Sequence, residues 1–135
     1  DIVCCKHDLP QAFADAILKV ADSLPTVINP ADTEQRRDLT DLLTFTIENE
    51  TTDHGLWLIE NAFTIEPIDQ QWQIGLHITD VAHYIEPDSS LDRAAKKRGT
   101  SVYLGERRLP LLPDGVTQRC SLVSGENRLS ISILI

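Results

Sequence analysis

Two groups of side chains in this sequence have the types and spacing to do chemistry. The first is acidic. The stretch TFTIENETTDHGLWLIENAFTIE, residues 44–66, sets Glu48, Glu50, Asp53 and Glu60 close together, with His54 among them. Carboxylate oxygens gathered in this way can converge on a hard divalent cation such as magnesium, which takes oxygen ligands in near-octahedral geometry. The same acids also suit a solvated loop and strand edge, and residue type alone does not choose. The second group is basic. Arg93, Lys96, Lys97, Arg98, Arg107 and Arg108 are half of the 12 basic residues and lie within residues 93–108. Phosphates are held by cations and metals by acids, so a basic strip beside an acidic region is what a phosphate-processing site needs. A solvated helix face would show the same strip.

Composition limits the setting of these groups. Residues 1–92 carry 4 basic and 18 acidic side chains, whereas residues 93–135 carry 8 basic and 3 acidic ones. The net charge of −9 opposes indiscriminate binding of nucleic acid and leaves the local basic strip as the place for a phosphate. Hydrophobic content of 41% and charged content of 24% suit a globular fold, and 135 residues suit one modest domain. No apolar run approaches the roughly 20 residues of a membrane-spanning helix, so no membrane partner is expected. Cys4 and Cys5 are adjacent and Cys120 stands apart. An odd count does not make a disulfide framework, and no Cys/His spacing matches a zinc site. Reduced thiols in a cytoplasmic protein are the expectation.

The elements that must position these groups can be read from periodicity. HDLPQAFADAILKVADSLP predicts a helix capped by Asp8, with Pro10 in its first turn and Phe13, Ile17, Val20, Ala21 and Leu24 on one face. ADTEQRRDL predicts a short polar helix. LTFTIE predicts a strand with Leu43, Phe45 and Ile47 inward. Leu56 to Ile59 and Ala62 to Glu66 predict a bulged second strand, and Pro67 to Gln70 a turn. QWQIGLHIT predicts a third strand that buries Trp72, Ile74, Leu76 and Ile78 and turns Gln73, Gly75 and His77 the other way. SSLDRAAKKRG carries the clearest helix signal: Ser89 and Asp92 at capping-box spacing, cations in the last turn, and Gly99 at the end. TSVYL and RRLPLLP read as short extended pieces, and RLSISILI as a last strand. Short links between strands favour an antiparallel meander. The expected class is α+β, mostly antiparallel sheet with flanking helices, over residues 1–135 as one domain.

With those residues in view, the chain resembles the RNB catalytic domain of the ribonuclease II and ribonuclease R exoribonucleases. HDLPQAF is similar to the family's His-x-Leu-Pro opening, and RRDLTDLLTFTIE to its R-x-DLR-x-L-x-TFTID. IGLHITDVAHYIEPDSSLDRAAKKRGTSVYL is similar to VHIADVSHYV-x-PGS-x-LD-x-EA-x-RGTSVYLP. RRLPLLP and RCSLVSGENRLSIS follow in the family's order. The matches run over nearly all of the chain and cover the first part of the family's catalytic domain, so a fragment of a longer protein is expected.

The resemblance implies magnesium-dependent 3′→5′ hydrolysis of single-stranded RNA. The family's acids, an Asp ending TFTID and a D-x-DDA cluster, hold magnesium ions that activate a water and stabilise the leaving oxygen. The resemblance sets Glu48 at the first Asp and residues 58–62 at D-x-DDA. There Leu58 cannot bind metal, Glu60 carries an extra methylene, and Asn61 has no charge. Glu48, Glu60 and Asn61 are therefore degenerate catalytic and metal positions, and the expected module binds RNA with little or no cleavage. The alternatives are an active enzyme in which Glu48, Glu50, Asp53, Glu60 and His54 rebuild the site, and a pseudoenzyme domain that serves protein partners. The family's base-stacking tyrosine falls on Tyr103, and Arg98, Arg107 and Arg108 are its candidate phosphate contacts. Asp80 is expected to orient a neighbouring loop or border the metal pocket, and His77 and His83 to be structural.

Overall fold

The computed structural model describes residues 2–47, 58–105 and 107–135. The chain divides into two compact units, residues 25–81 with 120–135 and residues 1–24 with 82–119.

The first of these is built on an antiparallel sheet. Strands β1 (Thr44–Phe45), β2 (Asn61–Ile68) and β3 (Gln71–Thr79) are consecutive neighbours in space, and β6 (Ser130–Leu134) pairs with the far side of β3. β2 and β3 form a hairpin. Pro67 and Ile68 stay in the strand, so the turn is shorter than the sequence suggests, and Asp69 takes φ 54 within it. Asp tolerates this left-handed conformation better than most residues. Of the strand predicted over LTFTIE only Thr44–Phe45 is paired, opposite Thr64 and Phe63. Of the strand segment predicted over Leu56 to Ile59, residues 56 and 57 lie outside the described residues, and Leu58 and Ile59 are irregular. They are nonetheless tied down, because the Ile59 N–H donates to Ser121 Oγ at 2.9 Å and the Leu122 N–H to the Ile59 carbonyl at 2.9 Å.

Register shows which face of this sheet is covered. Ala62 lies opposite His77, Thr64 opposite Gly75, and His77 opposite Ser132. Ala62, Thr64 and His77 are buried, with 2%, 2% and 5% of their surface exposed. Directly paired residues share a face, so the small and polar residues form the covered side. The expectation for β3 is reversed. Trp72, Ile74 and Ile78 are exposed, and Leu76 is half-buried. Alternation correctly sorted the side chains into two sets. It did not say which set the chain covers, because that depends on residues far away in sequence.

The second unit holds α1 (Ile2–Lys6), α2 (Asp15–Ser23), α4 (Ser90–Arg98), most of α5 (Asp114–Cys120) and the hairpin of β4 (Val102–Leu104) and β5 (Arg107–Leu109). α2 packs against α4. Cys4, Ala21, Leu91, Leu109 and Val116 are buried here. α2 starts at Asp15 with Ala14 as N-cap, not at Asp8. Asp8 takes φ 49, and the Leu9 N–H closes the end of α1 on the Cys4 carbonyl at 2.9 Å. The carbonyls of Pro10 and Ala12 accept from Arg98 instead of entering a helix, and residues 9–13 are irregular. Helices α1 and α5 carry too little periodicity to be seen in the sequence.

Two capping predictions meet the structure directly. α4 is capped by Ser89, whose Oγ accepts from the Asp92 N–H at 3.2 Å. The Asp92 carboxylate reaches one residue further back than a capping box requires and accepts from the Asp88 N–H at 2.6 Å. Gly99 ends the helix at φ 75, where a side chain would be strained. The short polar helix is α3 (Pro30–Thr33), shifted towards the N-terminus by a capping box between Asn29 and Asp32.

Candidate nucleic-acid interface

The basic strip becomes a defined surface on the second unit. α4 brings Lys96, Lys97 and Arg98 into its last turn, where cations oppose the helix dipole favourably. Gly99 then turns the chain into β4. In the hairpin, Tyr103 lies opposite Arg108 and Leu104 opposite Arg107. The Leu109 side of this ribbon is buried at 3% exposure, so the alternate residues Tyr103 and Arg108 share the other side. Tyr103 is 71% exposed. The guanidinium carbon of Arg108 sits 6.0 Å from the centre of its ring, at the outer limit of a cation–π contact. Arg108 Nε is buried and has no acceptor among the described residues. Arg107 falls on the Leu109 side of the ribbon but is itself exposed, and donates from Nη2 to Gln11 Oε1 at 2.9 Å.

Arg98 is held differently. Its Nη1 donates to the carbonyls of Pro10 at 3.0 Å and Pro110 at 3.2 Å, and its Nη2 to that of Ala12 at 2.6 Å. The guanidinium lies 3.7 Å from the centre of the Phe13 ring. Burial lowers its pKa from the ordinary arginine value, and the three carbonyls and the ring answer that loss of water. Arg98 thus joins the extended entry segment to the segment that follows the hairpin. Sequence reasoning placed Arg98 and Tyr103 in one basic strip but missed Gln11, Phe13 and the three carbonyl partners. Phe13 was read as a helix-face residue, and nothing local marks a contact to a residue 85 positions away.

The acidic positions divide by where they fall. Glu48, Glu50, Asp53 and His54 lie outside the described residues. Asn61 opens β2 and Glu60 immediately precedes it, and both are exposed. The Thr79 N–H donates to the Glu60 carbonyl at 3.0 Å, so Glu60 continues the β2–β3 ladder. Among the described residues no three of His, Cys, Asp and Glu gather closely enough to hold a metal ion. The described positions on their own do not fit magnesium, whose site needs several converging oxygens.

The remaining candidates have structural partners. Asp80 is 7% exposed and accepts from Arg36 Nη2 at 2.6 Å. Arg36 Nε donates in turn to the Asp32 carbonyl at 2.9 Å, so Asp80 anchors the α3 loop. His77 bridges the sheet: Nε2 lies 3.0 Å from Thr64 Oγ1 and Nδ1 2.8 Å from Ser132 Oγ. Desolvation lowers its pKa from the ordinary histidine value. His83 packs edge-on against Tyr84 with ring centres 4.9 Å apart. Cys4, Cys5 and Cys120 carry free thiols, and no helix among the described residues is long and apolar enough to cross a membrane.

With this geometry established, comparison with known proteins gives a consistent result. The model of the RNB domain matches residues 36–135. The acetazolamide conferring resistance protein zam of Synechocystis is 44% identical over 136 residues, covering 100% of this chain and 17% of that protein. Among solved structures, Mycoplasma genitalium RNase R in complex with ribose-methylated single-stranded RNA superposes with a TM-score of 0.87 at 26% identity, covering 98% of this chain and 20% of that one. Yeast Ssd1, described as a pseudonuclease, superposes with a TM-score of 0.70 at 26% identity, over 93% of this chain and 14% of its own. The chain thus spans about a fifth or less of the length of these relatives. The mixed helical and antiparallel architecture, the order of the motifs and the match over residues 36–135 agree: this chain belongs to the RNB-domain family of exoribonuclease-like proteins.

Proposed function

We propose that this chain is the RNA-holding part of an RNB module whose magnesium centre is degenerate, so that it binds single-stranded RNA and cleaves it slowly or not at all. The observation that carries this reading is the exposed ring of Tyr103 on a buried-backed hairpin, with Arg108 beside it. An aromatic face is a base platform of any sequence, worth about 1–3 kcal/mol per stacked base. The Arg108 guanidinium beside the Tyr103 ring sets a cation where a phosphate of the stacked strand would lie. Arg107 is exposed on the same strand and exchanges Gln11 for phosphate. Arg98 serves by holding the segments that frame the hairpin, since its donors already have acceptors. That the same fold is found in yeast Ssd1, described as a pseudonuclease, is consistent with a module of this fold that does not cleave.

The proposed degeneracy rests on chemistry at named positions. Leu58 offers no ligand, Asn61 offers no charge, and Glu60 carries a methylene more than the aspartate of the family's cluster. When bound in the family's manner, magnesium supplies the activated water and stabilises the leaving oxygen. The residues of this chain would bind and orient the strand.

The test uses 3′-labelled and 5′-labelled single-stranded RNA, with and without magnesium, with binding and cleavage followed in the same samples. Retention of intact RNA under both conditions is expected. Magnesium-dependent release of mononucleotides from the 3′ end would mean that Glu48, Glu60 and their neighbours form a working site, and the proposal would fail. Absence of any RNA binding would remove the stacking role and favour a scaffold for protein partners.

A further inference from the structure

The structure sorts the basic strip by what already holds each cation. Arg93 donates to the Asp88 carbonyl, and Lys96 lies 3.0 Å from Asp88 Oδ1 and 2.7 Å from Asp92 Oδ2. Arg98 is occupied by three carbonyls and the Phe13 ring. Arg107 is held in another way. It is exposed, and its acceptor among the described residues is the uncharged side-chain amide oxygen of Gln11 at 2.9 Å.

The fold prepares that contact. Gln11 sits between Pro10 and Ala12, whose carbonyls both accept from the Arg98 guanidinium. Its backbone is pinned on either side, so meeting Arg107 costs little more than the freedom of its own side chain. Leu104 and Arg107 are the last pair before the turn at Gly105, which takes φ 59. A strand stacked on Tyr103 therefore meets Arg107 at the tip of the hairpin. Hydrogen bonds from a guanidinium to an anionic oxygen are roughly twice as strong as those between neutral groups. A phosphate oxygen thus displaces the amide, whereas a carboxylate in the same place would compete with it as one anion against another.

We propose that Gln11 is a positioning residue of the RNA interface: it holds Arg107 at the hairpin tip through an uncharged acceptor and yields it to the phosphate of an incoming strand. Residue 11 then sets how tightly this chain holds single-stranded RNA, without touching the RNA itself. The inference rests on the RNA-holding function proposed above.

The experiment measures the affinity of the 135-residue chain for a short 5′-labelled single-stranded RNA by fluorescence anisotropy, at low and at high salt. Gln11 and Arg107 are both exposed, so substitutions there leave the buried side of the hairpin intact. Gln11→Glu is expected to bind about threefold more weakly at low salt, because an exposed ion pair now holds Arg107, and the difference is expected to shrink at high salt. On an Arg107→Ala background Gln11→Glu is expected to lose most of this effect. Gln11→Ala is expected to bind as tightly as the parent or about twofold tighter. Equal loss from Gln11→Glu with and without Arg107 overturns the proposal, because the carboxylate then repels the RNA directly. Weaker binding by Gln11→Ala overturns it too, because Gln11 is then itself an RNA contact. Where Tyr103→Ala and Arg107→Ala weaken binding and Gln11→Glu does not, the RNA-holding function stands and this proposal alone falls. Where neither Tyr103→Ala nor Arg107→Ala changes the affinity, both fall together.

Discussion

Gly75→Ala tests the covered side of the sheet. Gly75 lies directly opposite Thr64 on the hairpin. A Cβ at this position would stand 2.2 Å from Thr64 Oγ1 and 2.8 Å from His77 Nε2. Neither neighbour can simply swing aside. Thr64 is 2% exposed and β-branched, so its χ1 is restricted. His77 is 5% exposed and held at both ring nitrogens. The added methyl must push Thr64 Oγ1 away and break its 3.0 Å contact with His77. Overpacking costs about 1–3 kcal/mol, and leaving a buried imidazole nitrogen unpaired costs about 1–3 kcal/mol more. Together about 2–6 kcal/mol is expected, a large part of the roughly 5–15 kcal/mol that holds a domain folded. Urea denaturation followed by circular dichroism measures it. Thr64→Ala removes the worst contact, so on that background Gly75→Ala should cost at least about 1 kcal/mol less, a coupling that a double-mutant cycle resolves. A loss below about 0.5 kcal/mol for Gly75→Ala, with additive double-mutant behaviour, would refute the stated register and the buried Thr64–His77 contact.

Other outcomes follow from the same geometry. Tyr103→Ala should weaken binding of a short single-stranded RNA by about 1–3 kcal/mol while Tyr103→Phe keeps most of it; unchanged affinity by fluorescence anisotropy would remove the stacking claim. With two arginines on phosphates, the logarithm of that affinity should fall with the logarithm of salt at a slope of about −1.4, and a flat response would exclude Arg107 and Arg108 from the contact. Arg36→Met takes the cation from buried Asp80 and should cost about 2 kcal/mol of unfolding free energy, given a charged hydrogen bond with a partly exposed donor; a neutral result would mean that Asp80 does not anchor the α3 loop. Stability should also depend on pH through His77. Its folded pKa lies below the ordinary 6.5 because burial disfavours the charged ring, so the unfolded state takes up the proton first. The contribution is full above pH 6.5 and is lost as pH falls from there through the folded value. Thr64→Ala or Ser132→Ala alters that dependence only if the imidazole sits between them, which pH-resolved denaturation would show.

Much of this molecule is written in short-range patterns, and those parts could be read directly. The α4 helix, its Ser89 cap and its Gly99 end follow from residues within one turn of each other. The β2–β3 hairpin and β6 follow from alternation and a tight turn. Tyr103 and the arginines around it were visible as types at fixed spacing, and family likeness told which of them to single out. Other parts depend on contacts that no local window contains. Residues 9–13 form no helix because Pro10 and Ala12 give their carbonyls to Arg98. Arg36 meets Asp80 across 44 positions. The acid positions from residue 48 to residue 57 lie outside the described residues, so their arrangement stays a proposal.

The sheet shows where sequence stops and tertiary structure begins. A period of two residues dictates that Trp72, Ile74, Leu76 and Ile78 share one face and that Gly75 and His77 share the other, because successive side chains on an extended strand must point opposite ways. That much needed only the sequence. Which face is covered is a matter of what packs there, and packing is set by residues that are neighbours only after folding. Here burial fell on Ala62, Thr64, Gly75 and His77. It left the aliphatic face open because the hydrophobic effect can bury only surface for which a covering layer is present.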